Sequence, residues 1–301
     1  MEEVCQKAVE KPGRRTKLRS MAILLIAGAA LLVIGWIALQ PVVVEHRRRR
    51  LRAAPFPAAW RRILHRRVPA FHRLPFPARR ELEQLVQVFV AEKDFIGCDG
   101  QEITDEVRVT VAAQACLLLL GRRPRYFPAL RTILVYPSAF VVEKLRPEPS
   151  GVLQETRQVL SGESWSLGRV VLSWEDVVAG AAAHDDGRNV VIHEFAHQLD
   201  QEKGYANGAP LLAGRRRYER WSQVLGVEFA RLRARPFPLE GAPLLSDYGA
   251  TDPAEFFAVA SEVFFEQPWR MAAEHPALYV ELAGYYRVDP RAWGEASSVS
   301  R

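Results

Sequence analysis

The chain has 301 residues, 49% of them hydrophobic, enough for one large core or two small ones, and a formal net charge of +6. That charge is polarised: residues 1–80 hold 18 Lys/Arg against 4 acids, whereas residues 81–301 hold 23 against 31. A mildly acidic folded part argues against direct nucleic-acid binding, and the scattered Cys5, Cys98 and Cys116 form neither a disulfide framework nor a CxxC pair.

In chain order, residues 1–20 are a basic tail. Residues 21–39, "MAILLIAGAALLVIGWIAL", run for 19 positions without a charge, the length that crosses a hydrocarbon core of roughly 30 Å as a helix. A cleaved signal peptide has an apolar stretch of only about 7–15 residues, and Pro41 follows closely here, so a single uncleaved transmembrane helix over 21–44 is expected. The fifteen residues before the span carry six Lys/Arg and residues 45–59 carry five, so even a split leaves the orientation open under the positive-inside rule. The free cysteines favour a reducing compartment. "RRRRLR", inside a basic juxtamembrane linker at 45–54, reads as a solvated stop signal in preference to a lipid-headgroup contact.

A folded domain is expected over 55–294, followed by a disordered tail at 295–301. "AAPFPAAW" and "RLPFPARR" read as its proline-punctuated lead-in. Leu82, Leu85, Val86 and Phe89 recur at helical spacing and predict a helix over 79–94. A more buried helix over 104–120 is opened by Thr104 and closed by Gly121. "TILVYP" (132–137) and "GRVVLSW" (168–174) are β-branched, bounded by turn residues, and predict strands. After the turn "HDDGRN" comes a helix capped by Asn189, with further helices over 215–234 and 276–286. The fold class is α+β with helices in the majority and a small sheet.

Within "NVVIHEFAHQLD" (189–200), His193 and His197 lie one helical turn apart on one face. Two imidazole nitrogens aimed at one point suit Zn2+, and Glu194 beside the first is placed to take a proton from water: the mechanical sense of H-E-x-x-H. Seven histidines in 301 residues produce this pattern by chance in roughly one such chain per hundred. Val190, Val191, Ile192, Phe195 and Leu199 would bury the back of the helix, which a rigid site needs.

A third ligand must come from elsewhere. Asp200 and Lys203 stand where a metzincin has glycine and histidine, which excludes that class. Asp200 is itself a candidate ligand, but its place near the end of the same helix makes orienting His197 or capping the next turn the expected role. The best candidate is Glu255 in "SDYGATDPAEFFAVASEVFFEQP", although Asp252-x-x-Glu255 is close to a capping box that needs no metal. Glu262, two turns on, is a rival ligand or a partner that steadies one.

Several blocks in order, "QACL", "VYPSAFVV", "LSGESW" with "VVLSWEDV", "HEFAHQLD" and "YGATDPAEFFAVASEVFF", resemble the Mlc titration factor A family of bacterial zinc-dependent peptidases across about 55–290. The catalytic region is also similar to the peptidase domain of anthrax lethal factor. The resemblance implies a zincin-like, gluzincin-type site: His193, His197 and Glu255 as zinc ligands, Glu194 as general base, and Tyr248 steadying the transition state. It implies aminopeptidase action on small peptides and binding of the transcriptional repressor Mlc. This chain departs from soluble family members in its anchor. The expectation is a single-pass protein of the bacterial inner membrane with a peptidase domain facing the cytoplasm, acting on peptide or protein substrates. The rival is a non-catalytic, membrane-tethered, zinc-containing protein that sequesters a regulator. The strand ending in "VVLSW" is expected to pair with an extended peptide.

Overall fold

The computed structural model describes residues 12–122, 125–147, 153–160, 162–165, 168–183, 186–235 and 243–294. The chain divides into two compact units, Met1–Ala54 and Pro55–Arg301. The described part of the first unit is one helix, α1 (Pro12–Ala53), which runs through Pro41. Within it, Gly28–Ala53 is long and apolar enough to cross a membrane, with mean hydropathy 1.8, and Leu31, Leu32, Trp36 and Ile37 lie exposed along it. The backbone shows no break between tail, span and linker: residues 45–53, expected as a linker, continue the helix. The first eleven residues of the basic tail expected at 1–20, and the tail expected at 295–301, lie outside the described residues.

The second unit contains, in order, α2 (Ala58–Arg67), α3 (Ala70–Arg73), α4 (Phe76–Glu92), β1 (Asp94–Gly97), α5 (Asp105–Leu117), β2 (Thr132–Tyr136), β3 (Phe140–Pro147), β4 (Leu153–Leu160), β5 (Gly162–Trp165) and β6 (Arg169–Ser173). Then follow α6 (Trp174–Ala182), α7 (Val190–Asp200), α8 (Arg215–Arg233), α9 (Pro253–Glu266), α10 (Pro268–Glu274) and α11 (Pro276–Tyr286). The proline-punctuated lead-in is itself helical, forming α2, α3 and the start of α4. Proline suits the first turn of a helix, where its missing N–H has no intrahelical acceptor to lose, and α9, α10 and α11 also open on one.

The main sheet has strand order β1-β2-β6-β5. Parallel pairing joins β1 to β2 and β2 to β6, and β5 runs antiparallel along the outer edge of β6. A parallel neighbour demands a crossover, and the buried α5 supplies the one between β1 and β2. β3 and β4 pair with each other as a separate antiparallel hairpin. This order corrects one expectation: β6, the strand ending in "VVLSW", has both edges occupied, so among the described residues the free edge on that side belongs to β5. α7 packs against α9, α5, β5 and β6. Its apolar back joins a ring cluster in which Phe195 lies 4.8 Å from Phe127 and 5.6 Å from Phe89 between centroids. Removing a phenyl ring from such a site typically costs about 3–5 kcal/mol, so α7 is held rigidly from behind.

Candidate metal centre

Two capped helix ends build the site. Asn189 caps α7, its Oδ1 accepting from the amide of Ile192 at 3.0 Å, and this sets the rotation that puts His193 and His197 on the face opposite Phe195. Asp252 caps α9, its Oδ1 accepting from the amides of Ala254 (2.8 Å) and Glu255 (3.0 Å). The cap thus uses the Asp252 side chain and the Glu255 backbone, while the Glu255 carboxylate turns towards the histidines. Nε2 of His193 and Nε2 of His197 are 3.2 Å apart, and Oε2 of Glu255 lies 3.0 Å from the first and 3.3 Å from the second.

These separations test whether a metal fits. Donors bound tetrahedrally at about 2.0–2.1 Å stand roughly 3.3 Å from one another. The three observed distances match that triangle, and among the described residues this is the group of His, Cys, Asp or Glu side chains arranged to hold an ion.

Behind the triangle lies a second layer of contacts. Oε1 of Glu262 is 2.7 Å from Nδ1 of His193, and its Oε2 accepts the amide of Asn189 at 2.6 Å. The Asn189 side-chain amide in turn donates to Oε1 of Gln114 (2.9 Å) and to the carbonyl of Gly180 (3.3 Å). Glu262 is therefore a partner that orients His193 through its second nitrogen, as carboxylates commonly do for metal-binding histidines. Burial pulls the His193 imidazolium down, but Glu262, the hydrogen bonds to both glutamates and the charge of Glu194 outweigh it and raise its pKa well above the ordinary value. Burial pushes the Glu255 carboxyl up, yet its hydrogen bonds with His193 and His197 hold it well below the carboxylate range.

Glu194 is buried beside the triangle, and its charge acts on both His193 and Tyr248. Tyr248 sits in a short 3-10 turn (Asp247–Ala250), half exposed, with its ring centroid 5.8 Å from that of His193. Burial, then the neighbouring Glu255 and Glu194 carboxylates, push its phenol well above the usual range, so it keeps its proton at neutral pH. The structure thus brings His193, Glu194, His197, Tyr248 and Glu255 together. Asp200 does not join them. It is fully buried and its Oδ2 accepts from the amides of Asn207 and Gly208, both at 2.7 Å, so it caps the turn after α7.

Glu266, one turn beyond Glu262, is not singled out by sequence pattern, nor is the linking role of Gln114. An acid repeated at i and i+4 inside the apolar run "FFAVASEVFFE" was the available signal. A cleft of about 560 Å3, lined by Gly187, Arg188, Leu244, Ser246, Asp247 and Gln267, opens beside the residues that immediately precede Asn189 and Tyr248.

Comparison with known proteins gives consistent matches. The profile of the glucose-regulated metallo-peptidase M90 family matches residues 43–287. An uncharacterized protein of Synechocystis is 39% identical over 261 residues, covering 86% of this chain and 94% of its own length. Mlc titration factor A of Klebsiella pneumoniae is 34% identical over 225 residues, covering 74% of this chain and 84% of its own. The protein of that name from Cronobacter sakazakii is 32% identical over 240 residues, with 79% and 89% covered.

Proposed function

This chain belongs to the glucose-regulated metallo-peptidase M90 family, and on that premise we propose that it is a membrane-anchored zinc peptidase of gluzincin type. The observation that carries the reading is the donor triangle of His193, His197 and Glu255, spaced for a tetrahedral ion, with the buried Glu194 adjacent and not among the donors. A bound zinc ion would supply Lewis acidity, lowering the pKa of water and polarising a carbonyl. Around it, Glu194 accepts the proton of the attacking water and delivers it to the leaving amine. The protonated phenol of Tyr248 donates a hydrogen bond to the carbonyl oxygen as negative charge develops there. Glu262 holds His193 in the orientation that presents Nε2 to the site.

An extended peptide is accommodated by backbone pairing along the free edge of β5, which packs beside α7. Aminopeptidase-like action on small peptides is proposed on the family resemblance of the blocks that carry these residues. α1 supports single-pass attachment to the bacterial inner membrane, and the free Cys98 and Cys116 support a peptidase unit on the cytoplasmic side. The name shared by the Klebsiella and Cronobacter relatives supports a second role, binding a repressor of the Mlc type. The rival, a non-catalytic tethered protein, fits less well. A structural zinc site is closed by four protein ligands, whereas this group, among the described residues, offers three.

The test is zinc stoichiometry together with turnover of amino-acid arylamides. Glu194→Gln should keep its metal and lose at least about 100-fold in hydrolysis, the scale of a general base. Undiminished hydrolysis by that variant would remove the catalytic role assigned to Glu194.

A further inference from the structure

Residues 58–80 contain seven arginines, two histidines and no acid. On α2, Ile63 and Leu64 face inward, while Arg61, Arg62, His65 and Arg66 share the opposite, exposed face. Contacts fold the neighbouring elements onto the same surface. Arg61 pairs with Glu83 of α4 at 2.7 Å, the rings of His65 and His72 lie 4.8 Å apart, and Arg79 donates to the carbonyls of His72 and Leu74. Arg80, one turn before Glu83, is exposed, and so is Phe76 at the start of α4, at 70%.

Three carboxylates face α2. Glu83 meets Arg61, Glu106 meets Arg66 and Arg67, and Asp105 accepts from the indole N–H of Trp60 at 2.9 Å. Neither Arg62 nor Arg80 pairs with a carboxylate among the described residues, so this surface keeps positive charge that no acid offsets directly. Consistent with a positive surface, burial and then the charges of His72, Arg79 and Arg61 hold the His65 imidazole below its ordinary pKa.

Chain continuity decides what this surface meets. Only residues 54–57 separate the end of α1 from the start of α2, a stretch that reaches at most about 18 Å fully extended. Residues 45–53 carry α1 about 13 Å past the span expected over 21–44, so α2 is tethered within roughly 30 Å of a bilayer crossed by α1, and its charged face can reach the headgroups. We propose that the face formed by Arg61, Arg62, Arg66, Arg80 and Phe76 docks on the anionic lipid headgroups of the membrane that holds α1. The arginines take the phosphates and Phe76 enters the headgroup–acyl boundary. Residues 81–301, with 31 acids against 23 Lys/Arg, are repelled by the same surface, so the attraction orients the peptidase unit as well as holding it. This inference rests on the anchored reading of α1.

The experiment uses the full-length protein in vesicles of phosphatidylcholine alone or mixed with phosphatidylglycerol. A bimane probe at Phe76→Cys, with Cys5 and Cys98 replaced by Ser, reports contact with headgroup spin-labelled lipid; Val227→Cys on α8 is the reference position. Expected is quenching at position 76 only in the phosphatidylglycerol vesicles, lost in high salt and absent at 227. Each arginine near such a surface shifts the docked-to-free ratio about 5-fold, so Arg62→Glu/Arg66→Glu/Arg80→Glu should lower it at least about 100-fold.

Alkaline carbonate washing reads the anchor separately. A chain that resists washing but shows no quenching, or equal quenching in both lipids, keeps the span and overturns the docking. A chain that washes off yet quenches only with phosphatidylglycerol keeps the docking and loses the span. Oligonucleotide binding with the same arginine dependence, without lipid-dependent quenching, would assign the face to nucleic acid and overturn the proposal.

Discussion

Glu262 uses both carboxylate oxygens as acceptors, one towards Nδ1 of His193 and one from the Asn189 amide. A glutamine there would turn its NH2 against one of those N–H groups, a clash that no rotation of the amide relieves. Glu262→Gln should therefore weaken metal binding by about 10–100-fold while the fold persists, read by calorimetric titration of zinc. Unaltered affinity would leave Glu262 without a positioning role. Glu266 is a different kind of acid. Burial, together with the charges of Glu262 and Asp186 and despite a hydrogen bond from Asn189, pushes its carboxyl up to about 9 from 4.5. Below 4.5 the folded and unfolded chains both hold this proton; between 4.5 and about 9 only the folded chain does. Rising pH therefore favours unfolding across that window, and the full cost is reached above it. Glu266→Gln should raise the melting temperature more at pH 9 than at pH 5; an equal shift at both would place the effect in packing rather than protonation.

At the scale of elements, the site depends on two helix starts meeting. α7 is positioned by its Asn189 cap and its apolar back, and α9 by Asp252. Loss of an N-cap costs about 1 kcal/mol, modest for the whole chain. The Asp252 cap, however, secures the very turn that carries Glu255. Asp252→Ala should thus lower zinc affinity out of proportion to a stability loss of about 1 kcal/mol, measured by parallel metal titration and denaturant unfolding. Proportionate losses would mean that the cap supports α9 only as a whole. The periodic elements were legible because their pattern is local: α5, β2, β6, α7, α8 and α11 follow their apolar spacing and caps to within a few residues. β1 and the β3–β4 hairpin were not. The residues of β1, "DFIG", show no alternation, being exposed or intermediate throughout, and the hairpin partners are joined by pairing rather than by composition.

Over the whole molecule, an ion bound by His193, His197 and Glu255 would join α7 to α9 across 62 residues of chain. Binding to the folded state alone stabilises it by about 4 kcal/mol when the free ion stands at 1,000 times its Kd. In a unit of this size each kcal/mol moves the melting temperature by roughly 2–4 °C. Chelation should lower it by about 10 °C, restored by adding zinc; a chelator-insensitive melt would contradict this linkage. The sequence by itself determined the apolar stretch within α1, the acidic balance of the folded part, and the face shared by His193 and His197, because charge, composition and helical periodicity are properties of neighbouring residues. It left Glu255 divided between cap and ligand, Glu262 between ligand and support, and Asp200 between histidine and turn. Only the tertiary structure decided how these side chains are placed: Asp252 takes the cap and frees the Glu255 carboxylate for the histidines, Glu262 reaches the far nitrogen of His193, and Asp200 closes on Asn207 and Gly208. The physical reason is that a carboxylate reads the same in any helix, and its task is set by which donors the rest of the fold brings within hydrogen-bonding distance.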